Sequence, residues 1–196
     1  MIERSAYAVL MTPFFETPTV AVTAAAGVTF ATPAMLCMEG SGTGPASVPI
    51  EVGFVLPDGS GYCTLIRPLA GWTHWDVKAE RVHRIARETT VAHGRAVAEV
   101  AAQLNLRLAG RTLYCEAWAQ ADGWLRLLFA AAGTAPAFQL ENLRALLSSR
   151  EAAVWPVLQR QVAGEMRLQR HRASADAKIL QLTLVRLRGP LPEPPR

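Results

Sequence analysis

A strand–turn–strand segment is the feature of this sequence that most restricts its fold. Residues 49–56 are mainly apolar, Pro57-Asp-Gly59 is a turn sequence, and residues 61–67 form a second strand-like run. Two such runs joined by a short turn predict an antiparallel hairpin. A third apolar run, residues 35–39, comes before the hairpin and stops at a glycine-rich stretch. We therefore expect a meander of three antiparallel strands.

Helical patterns dominate the rest of the chain. One buried strand is predicted over residues 111–117. The predicted helices cover residues 78–92, 95–108, 122–132, 139–148, 151–170 and 173–187. A meander followed by helices and a further strand is typical of an α/β domain with a mixed central sheet and helices on both faces. The 51% of hydrophobic residues supply enough apolar surface for a core.

The two ends of the chain differ from its middle. Residues 1–33 keep neither a helical nor a strand period, so we expect a poorly packed extension there. Residues 189–196 are rich in proline and are expected to form an extended, exposed tail. Residues 34–188 are therefore expected to form one domain, in keeping with a chain of 196 residues.

Charge and cysteine content narrow the classes of function. The net charge is +4, and only Lys78 and Lys178 are lysines, so arginine supplies most of the positive charge. Arginine suits phosphate because its planar group binds two oxygens at once, although a GC-rich coding sequence would produce the same excess. Three cysteines without C-x-x-C spacing indicate neither a disulfide framework nor a zinc ribbon. With no long uncharged apolar run and no secretory signal, we expect a cytoplasmic protein without a membrane partner.

Several short segments occur in an order that points to one family. Cys37-Met-Glu39 ends the first predicted strand, Val82-His83-Arg84-Ile85 lies in a predicted helix, and a His-x-Ala-x-x-Asp-Ala motif opens the last helix. Over about residues 34–187 these segments resemble the DEDDh family of 3′–5′ exonucleases, which includes proofreading subunits, ribonuclease T and oligoribonuclease. The resemblance implies a ribonuclease H-like fold. Its most specific element is the last motif, formed by His171, Ala173, Asp176 and Ala177.

The resemblance also implies a chemistry. Family members hold two Mg²⁺ ions with three Asp and one Glu, and a histidine activates the attacking water. Carried over, Glu39 is a metal ligand and a catalytic residue, Asp176 is a second metal ligand, and His171 is the catalytic base. The implied cofactor is Mg²⁺ or Mn²⁺, and the implied partner is the 3′ end of single-stranded DNA or RNA.

Three further residues are predicted to contact the substrate. His83 corresponds to the family's His-Gly-Ile segment, which borders the substrate cleft, although Arg84 replaces the glycine. Arg172 is a candidate for binding phosphate, and Trp75 for stacking a nucleobase. A tryptophan such as Trp75 more often packs at the edge of a core.

Two of the five family positions are altered. The first Asp is replaced by Cys37, whose thiol is mostly neutral at pH 7 and poorly matched to Mg²⁺. The middle Asp is expected at Ala121, and Asp122 follows one residue late, which is about 100° of helix rotation. Asp122 is therefore a metal ligand only if a small irregularity turns it back. We expect weakened metal binding and slow hydrolysis.

Other interpretations stay open at this point. The chain is alternatively an inactive nucleic-acid-binding module or a protein-interaction module on the same fold, and a homodimer is not excluded. As a binding module it would hold phosphates with four arginines, Arg160, Arg167, Arg170 and Arg172. Cys37, Cys115 and His171 are a weaker candidate for a soft metal such as Zn²⁺, because buried thiols are usually inert. Glu51 is expected to be structural and to point to the opposite face of the sheet.

Overall fold

The computed structural model describes residues 32–168 and 170–189, so most of the predicted extension and of the predicted tail lies outside the described residues. Within that range a five-stranded sheet has the order β3-β2-β1-β4-β5. β1, β2 and β3 pair antiparallel, whereas β4 pairs parallel with β1 and with β5. The predicted meander and mixed sheet are confirmed. The strands are β1 Ala34–Gly40, β2 Pro49–Val55, β3 Gly61–Leu65, β4 Thr112–Cys115 and β5 Gln139–Asn142.

Helices cover both faces of the sheet, as predicted. Alternation along β1 sends Leu36 to a core formed with α3 and α4, and Met35 to a core formed with α5 and α6. The helices are α1 Val77–His83, α2 Arg87–His93, α3 Val97–Leu108, α4 Trp118–Ala131, α5 Ser149–Met166 and α6 Ala173–Arg188.

Two segments differ from the prediction. The helix expected over residues 78–92 is two helices, because Arg84 adopts a left-handed conformation (φ 58°) and ends α1. The helix expected over residues 139–148 is wrong. Gln139–Asn142 pairs with β4, and the Asn142 side chain then accepts a hydrogen bond from the Arg144 backbone N–H at the start of a 3₁₀ turn.

Helix α4 begins at Trp118, four residues before its predicted start. Only a two-residue turn separates it from the end of β4. Ala121 and Asp122 consequently lie inside α4, where their side chains are fixed by the helical rotation. Among the described residues no helix is long and apolar enough to cross a membrane.

Two glycines allow close approach between the layers. A Cβ on Gly53 of β2 would lie 2.5 Å from the backbone nitrogen of Ser174, so the first turn of α6 rests directly on the strand. A Cβ on Gly40 would overlap the indole ring of Trp124, whose Nε1 donates to Ser47 Oγ at 3.2 Å. These contacts set the positions of α6 and α4 relative to the end of β1.

Candidate functional site

A cleft of about 500 Å³ lies at the carboxyl ends of β1 and β4. It is bordered by α1, by the first turns of α4 and α6, and by the loop before α6. The carboxyl ends of neighbouring parallel strands are where α/β proteins commonly bind ligands. Eight residues singled out from the sequence line this cleft, namely Cys37, Glu39, His83, Cys115, Ala121, Arg170, His171 and Asp176.

The part of the cleft formed by Glu39, His171 and Asp176, here called the α6 side, is held by a buried ion pair. Glu51 is fully buried and accepts hydrogen bonds from Arg172 Nη2 at 2.6 Å and from the Ala173 backbone N–H at 2.7 Å. His171 precedes this anchor in a left-handed conformation (φ 61°), and its backbone N–H donates to Asp176 Oδ2 at 3.1 Å. The Glu51 carboxylate therefore fixes the turn that carries His171.

This geometry changes two expectations. Glu51 is structural, as expected, but it faces the same side of the sheet as Glu39, because the two residues are opposite partners in the β1–β2 register. Arg172, expected to bind phosphate, uses its guanidinium on Glu51 instead. Arg172 is also absent from the residues that line the cleft.

The part of the cleft formed by Cys37, Cys115 and Ala121, here called the α4 side, offers no carboxylate from these three positions. The Cys37 thiol is hydrogen-bonded to Cys115, and this bond together with burial raises the pKa of Cys37 well above its usual value. The thiol therefore stays protonated at neutral pH. Glu116 also borders the cleft, but its carboxylate accepts hydrogen bonds from Trp155 Nε1 and Gln159 Nε2, both at 2.8 Å.

Asp122 and Trp75 do not line the cleft. Asp122 lies one position past Ala121 on α4 and accepts a hydrogen bond from Arg126 Nε at 2.7 Å, so the helix carries its carboxylate away from the predicted metal position. Trp75 donates its Nε1–H to Glu80, and the Arg87 guanidinium lies 5.6 Å from its ring. Trp75 thus packs at the edge of the core.

His83 borders the cleft with an unused hydrogen-bond donor. Its side chain is buried, and Nδ1 accepts a hydrogen bond from the Ile85 backbone N–H at 3.1 Å. In the neutral ring the proton is then on Nε2, which has no partner among the described residues. Burial lowers the pKa of His83, so the neutral ring is the form present at pH 7.

Burial raises the pKa of both carboxyl groups on the α6 side. Burial, together with the nearby charges of Asp176 and Glu51, raises the pKa of Glu39 to about 8. Burial also raises the pKa of Asp176, although His171 and Arg170 oppose this. At pH 7 Glu39 is therefore mainly a neutral carboxylic acid.

Several solved exonucleases have the same architecture. E. coli exonuclease I in complex with a dA16 oligonucleotide aligns with a TM-score of 0.61 and 15% identity, over 80% of this chain and 41% of that one. The zinc-bound form of the E. coli complex with single-stranded DNA gives a TM-score of 0.62 and 16% identity, over 82% and 42%. This chain has the exonuclease fold.

An exonuclease I from a second organism gives a similar alignment. Exonuclease I from Methylocaldum szegediense aligns with a TM-score of 0.57 and 14% identity, over 81% of this chain. The chain spans about two fifths of the length of these exonuclease I chains. Neither a protein-family model nor a curated protein sequence matches it.

The donor set of this exonuclease fold does not fit a two-ion magnesium site. Two adjacent divalent ions need several anionic oxygens, whereas Cys37 and Ala121 supply none. Across the part of the chain that the structure describes, no group of three or more His, Cys, Asp and Glu could hold a metal ion. The same finding counts against a soft-metal site at Cys37, Cys115 and His171.

Two cations at the cleft complete the site. Lys78 of α1 and Arg170 of the loop before α6 both line it. The sequence analysis included Arg170 among the candidate phosphate-binding arginines but missed Lys78. Lys78 lies in the first turn of α1, where its backbone N–H donates a hydrogen bond to the capping Asp76 side chain at 2.8 Å.

Proposed function

We propose that this chain binds the end of a single-stranded nucleic acid in the cleft and hydrolyses it slowly or not at all. One observation carries the proposal: the α6 side keeps Glu39, His171 and Asp176, whereas Cys37 and Ala121 leave the α4 side without the carboxylates that two Mg²⁺ or Mn²⁺ ions require. The chain is thus proposed to be a binding module derived from a DEDDh-type exonuclease.

Charge and fold support the binding part of the proposal. Lys78 and Arg170 place two cations on the lining of the cleft, and the whole chain carries a net charge of +4. Exonuclease I, which shares the fold, has been solved in complex with single-stranded oligonucleotides. A single strand supplies the phosphates that lysine and arginine bind, and its binding releases counterions.

Binding is tested by fluorescence anisotropy with a 5′-labelled oligonucleotide, as DNA and as RNA of the same sequence. We expect affinity to fall as salt rises, and Arg170→Gln to reduce the slope of log K against log salt by about 0.7. Arg126→Gln is the matched control, because Arg126 is an exposed arginine on α4 that does not line the cleft. Absence of salt-dependent binding to either strand would favour the protein-interaction alternative.

Hydrolysis is tested on the same oligonucleotides by denaturing gel electrophoresis. The wild-type protein should trim them very little with Mg²⁺ and somewhat more with Mn²⁺, which tolerates imperfect ligand sets better. Vigorous trimming with Mg²⁺ would contradict the proposal that the altered positions disable the site.

A further inference from the structure

The outer side of α1 carries a row of three cations beside the cleft. Lys78, Arg81 and Arg84 are all exposed and follow one another at intervals of three residues. At 1.5 Å of rise per residue, such a row is about 9 Å long. Lys78 also lines the cleft, so the row continues from the cleft onto the surface.

These cations are not neutralised by ion pairs within the described residues. The five salt bridges found there involve none of Lys78, Arg81 and Arg84. Glu80, the acidic residue of α1, instead accepts a hydrogen bond from Trp75 Nε1. The row therefore presents unpaired positive charge to the solvent.

Arg84 occupies a backbone conformation that favours glycine. Its φ of 58° lies in the left-handed region, which a residue with a Cβ adopts only at a cost in free energy. Its backbone N–H closes α1 on the Glu80 carbonyl at 2.7 Å, which a glycine would do with less strain. A long cationic side chain is thus held at the end of α1 at a cost in stability.

The side of α1 that faces the cleft gives a second, independent indication of a ligand. His83 is 2% exposed and borders the cleft, and its Nε2 has no hydrogen-bond partner among the described residues. A buried N–H without a partner is destabilising, and an acceptor atom in the cleft would remove that cost. The sugar and phosphate oxygens of a nucleotide are such acceptors.

We propose that α1 is the helix that holds the strand outside the cleft, with Lys78, Arg81 and Arg84 binding successive phosphodiesters. His83 donates its Nε2–H to the nucleotide that enters the cleft. This inference rests on the proposed function, since it assumes that a single strand is the ligand, but it assigns the binding energy to one helix. The arginines of α5 and of the loop after it, Arg160 and Arg167, are the competing location.

The experiment compares four double variants in the anisotropy assay. Arg81→Gln/Arg84→Gln should weaken binding about tenfold near physiological salt and lower the salt slope by about 1.4, since each cation contributes about 0.7. Arg81→Lys/Arg84→Lys should keep the slope. Arg126→Gln/Arg144→Gln, which removes two exposed arginines that do not line the cleft, is the matched control.

The outcomes separate this inference from the proposed function. If the wild type binds and Arg160→Gln/Arg167→Gln lowers the slope while the α1 variant does not, the strand runs along α5 and only the α1 inference fails. If the wild type shows no salt-dependent binding, both fail. Nuclear magnetic resonance gives a second measurement, because the His83 Nε2–H signal should shift on adding the oligonucleotide; no shift at saturation would remove His83 from the interface.

Discussion

The two sides of the cleft differ in the side chains that they present. The α6 side has two carboxyl groups and a histidine, and the Glu51–Arg172 ion pair holds the turn beneath them. The α4 side has the buried thiol of Cys115, the half-buried thiol of Cys37 and the buried methyl group of Ala121. Both sides belong to the same sheet and cleft, so the fold tolerates losing ligands on one side without losing the framework of the other.

Different contacts support the framework of the site and its candidate ligands. On the α6 side the functional groups are coupled to the fold, because Asp176 accepts from the His171 backbone and Glu51 anchors the residues that follow. On the α4 side a carboxylate at position 37 or 121 would be buried and would need a cation nearby. Small apolar or weakly polar side chains fill these positions without such a partner.

The largest expected effect comes from restoring the α4 side. Cys37→Asp/Ala121→Asp should raise Mg²⁺-dependent trimming of a single-stranded oligonucleotide by about a thousandfold, or about 4 kcal/mol of activation free energy, because two oxygen ligands return. Mg²⁺ should also raise the melting temperature of this variant but not that of the wild type.

The matched control for that variant is Ala119→Asp/Ala130→Asp, which adds two carboxylates at exposed positions of α4. It should change neither trimming nor the response of the melting temperature to Mg²⁺. Equal behaviour of the two variants would mean that the positions on the α4 side are not those of the missing ligands.

Breaking the framework of the α6 side should have the next largest effect. Glu51→Gln removes the charge that pairs with Arg172, and we expect a loss of about 2–3 kcal/mol in the free energy of unfolding, measured with urea. Glu99→Gln breaks the exposed Arg95–Glu99 pair and should cost less than about 1 kcal/mol. Similar small losses in both variants would show that Glu51 does not anchor the turn.

The free energy of unfolding should depend on pH because the pKa of Glu39 on the α6 side is raised. The pKa of Glu39 is about 8 in the folded state, well above the ordinary value of a glutamate. At a pH between the ordinary pKa and about 8, the folded protein therefore binds more protons than the unfolded chain. The stabilisation contributed by Glu39 is complete below the ordinary pKa of a glutamate and is lost as the pH rises through about 8.

Glu39→Gln removes that titration. Its free energy of unfolding relative to the wild type should therefore increase by about 2 kcal/mol between about pH 5 and about pH 8, as measured by urea unfolding at each pH. This is half of the about 4 kcal/mol that three pH units allow, because Glu39 is only partly buried, and the difference should level off above about pH 8. A constant difference between the two proteins would mean that Glu39 keeps an ordinary pKa in the folded state.

The smallest expected effect concerns α5, which packs against α6 from outside. Ser148 Oγ accepts from the Glu151 backbone N–H, and the Glu151 carboxylate accepts from the Ser148 backbone N–H at 2.8 Å. Ser148→Ala should cost about 1 kcal/mol by loss of this helix cap. Ser149→Ala, at the next and equally exposed position, should leave the melting temperature nearly unchanged.

Local sequence patterns predicted the strands of this fold better than its helix boundaries. The meander follows from apolar runs separated by turns. The break at Arg84 could not be predicted, because arginine rarely adopts a positive φ. The strand at Gln139–Asn142 was missed because its four residues owe their conformation to pairing with β4.

Site residues that lie in short motifs could be predicted from the sequence. Contacts between residues far apart in the sequence could not. The structure places Glu39, His171 and Asp176 in one cleft, as their positions at a strand end and a helix start suggested. Glu51 and Arg172, which hold that side together, are 121 residues apart in sequence. Nothing in the local pattern around either residue indicates the other.

Gly53 of β2 sets the position of the first turn of α6, which borders the cleft. Because a methyl group there would meet the backbone of Ser174, the height of the first turn of α6 above the sheet is set by one missing side chain on β2. His171 directly precedes that turn, so its distance from the floor of the cleft is fixed by the thickness of the backbone contact. The depth of the binding site is thus a property of the layer spacing of the domain, decided on a strand that contributes no side chain to the lining of the cleft.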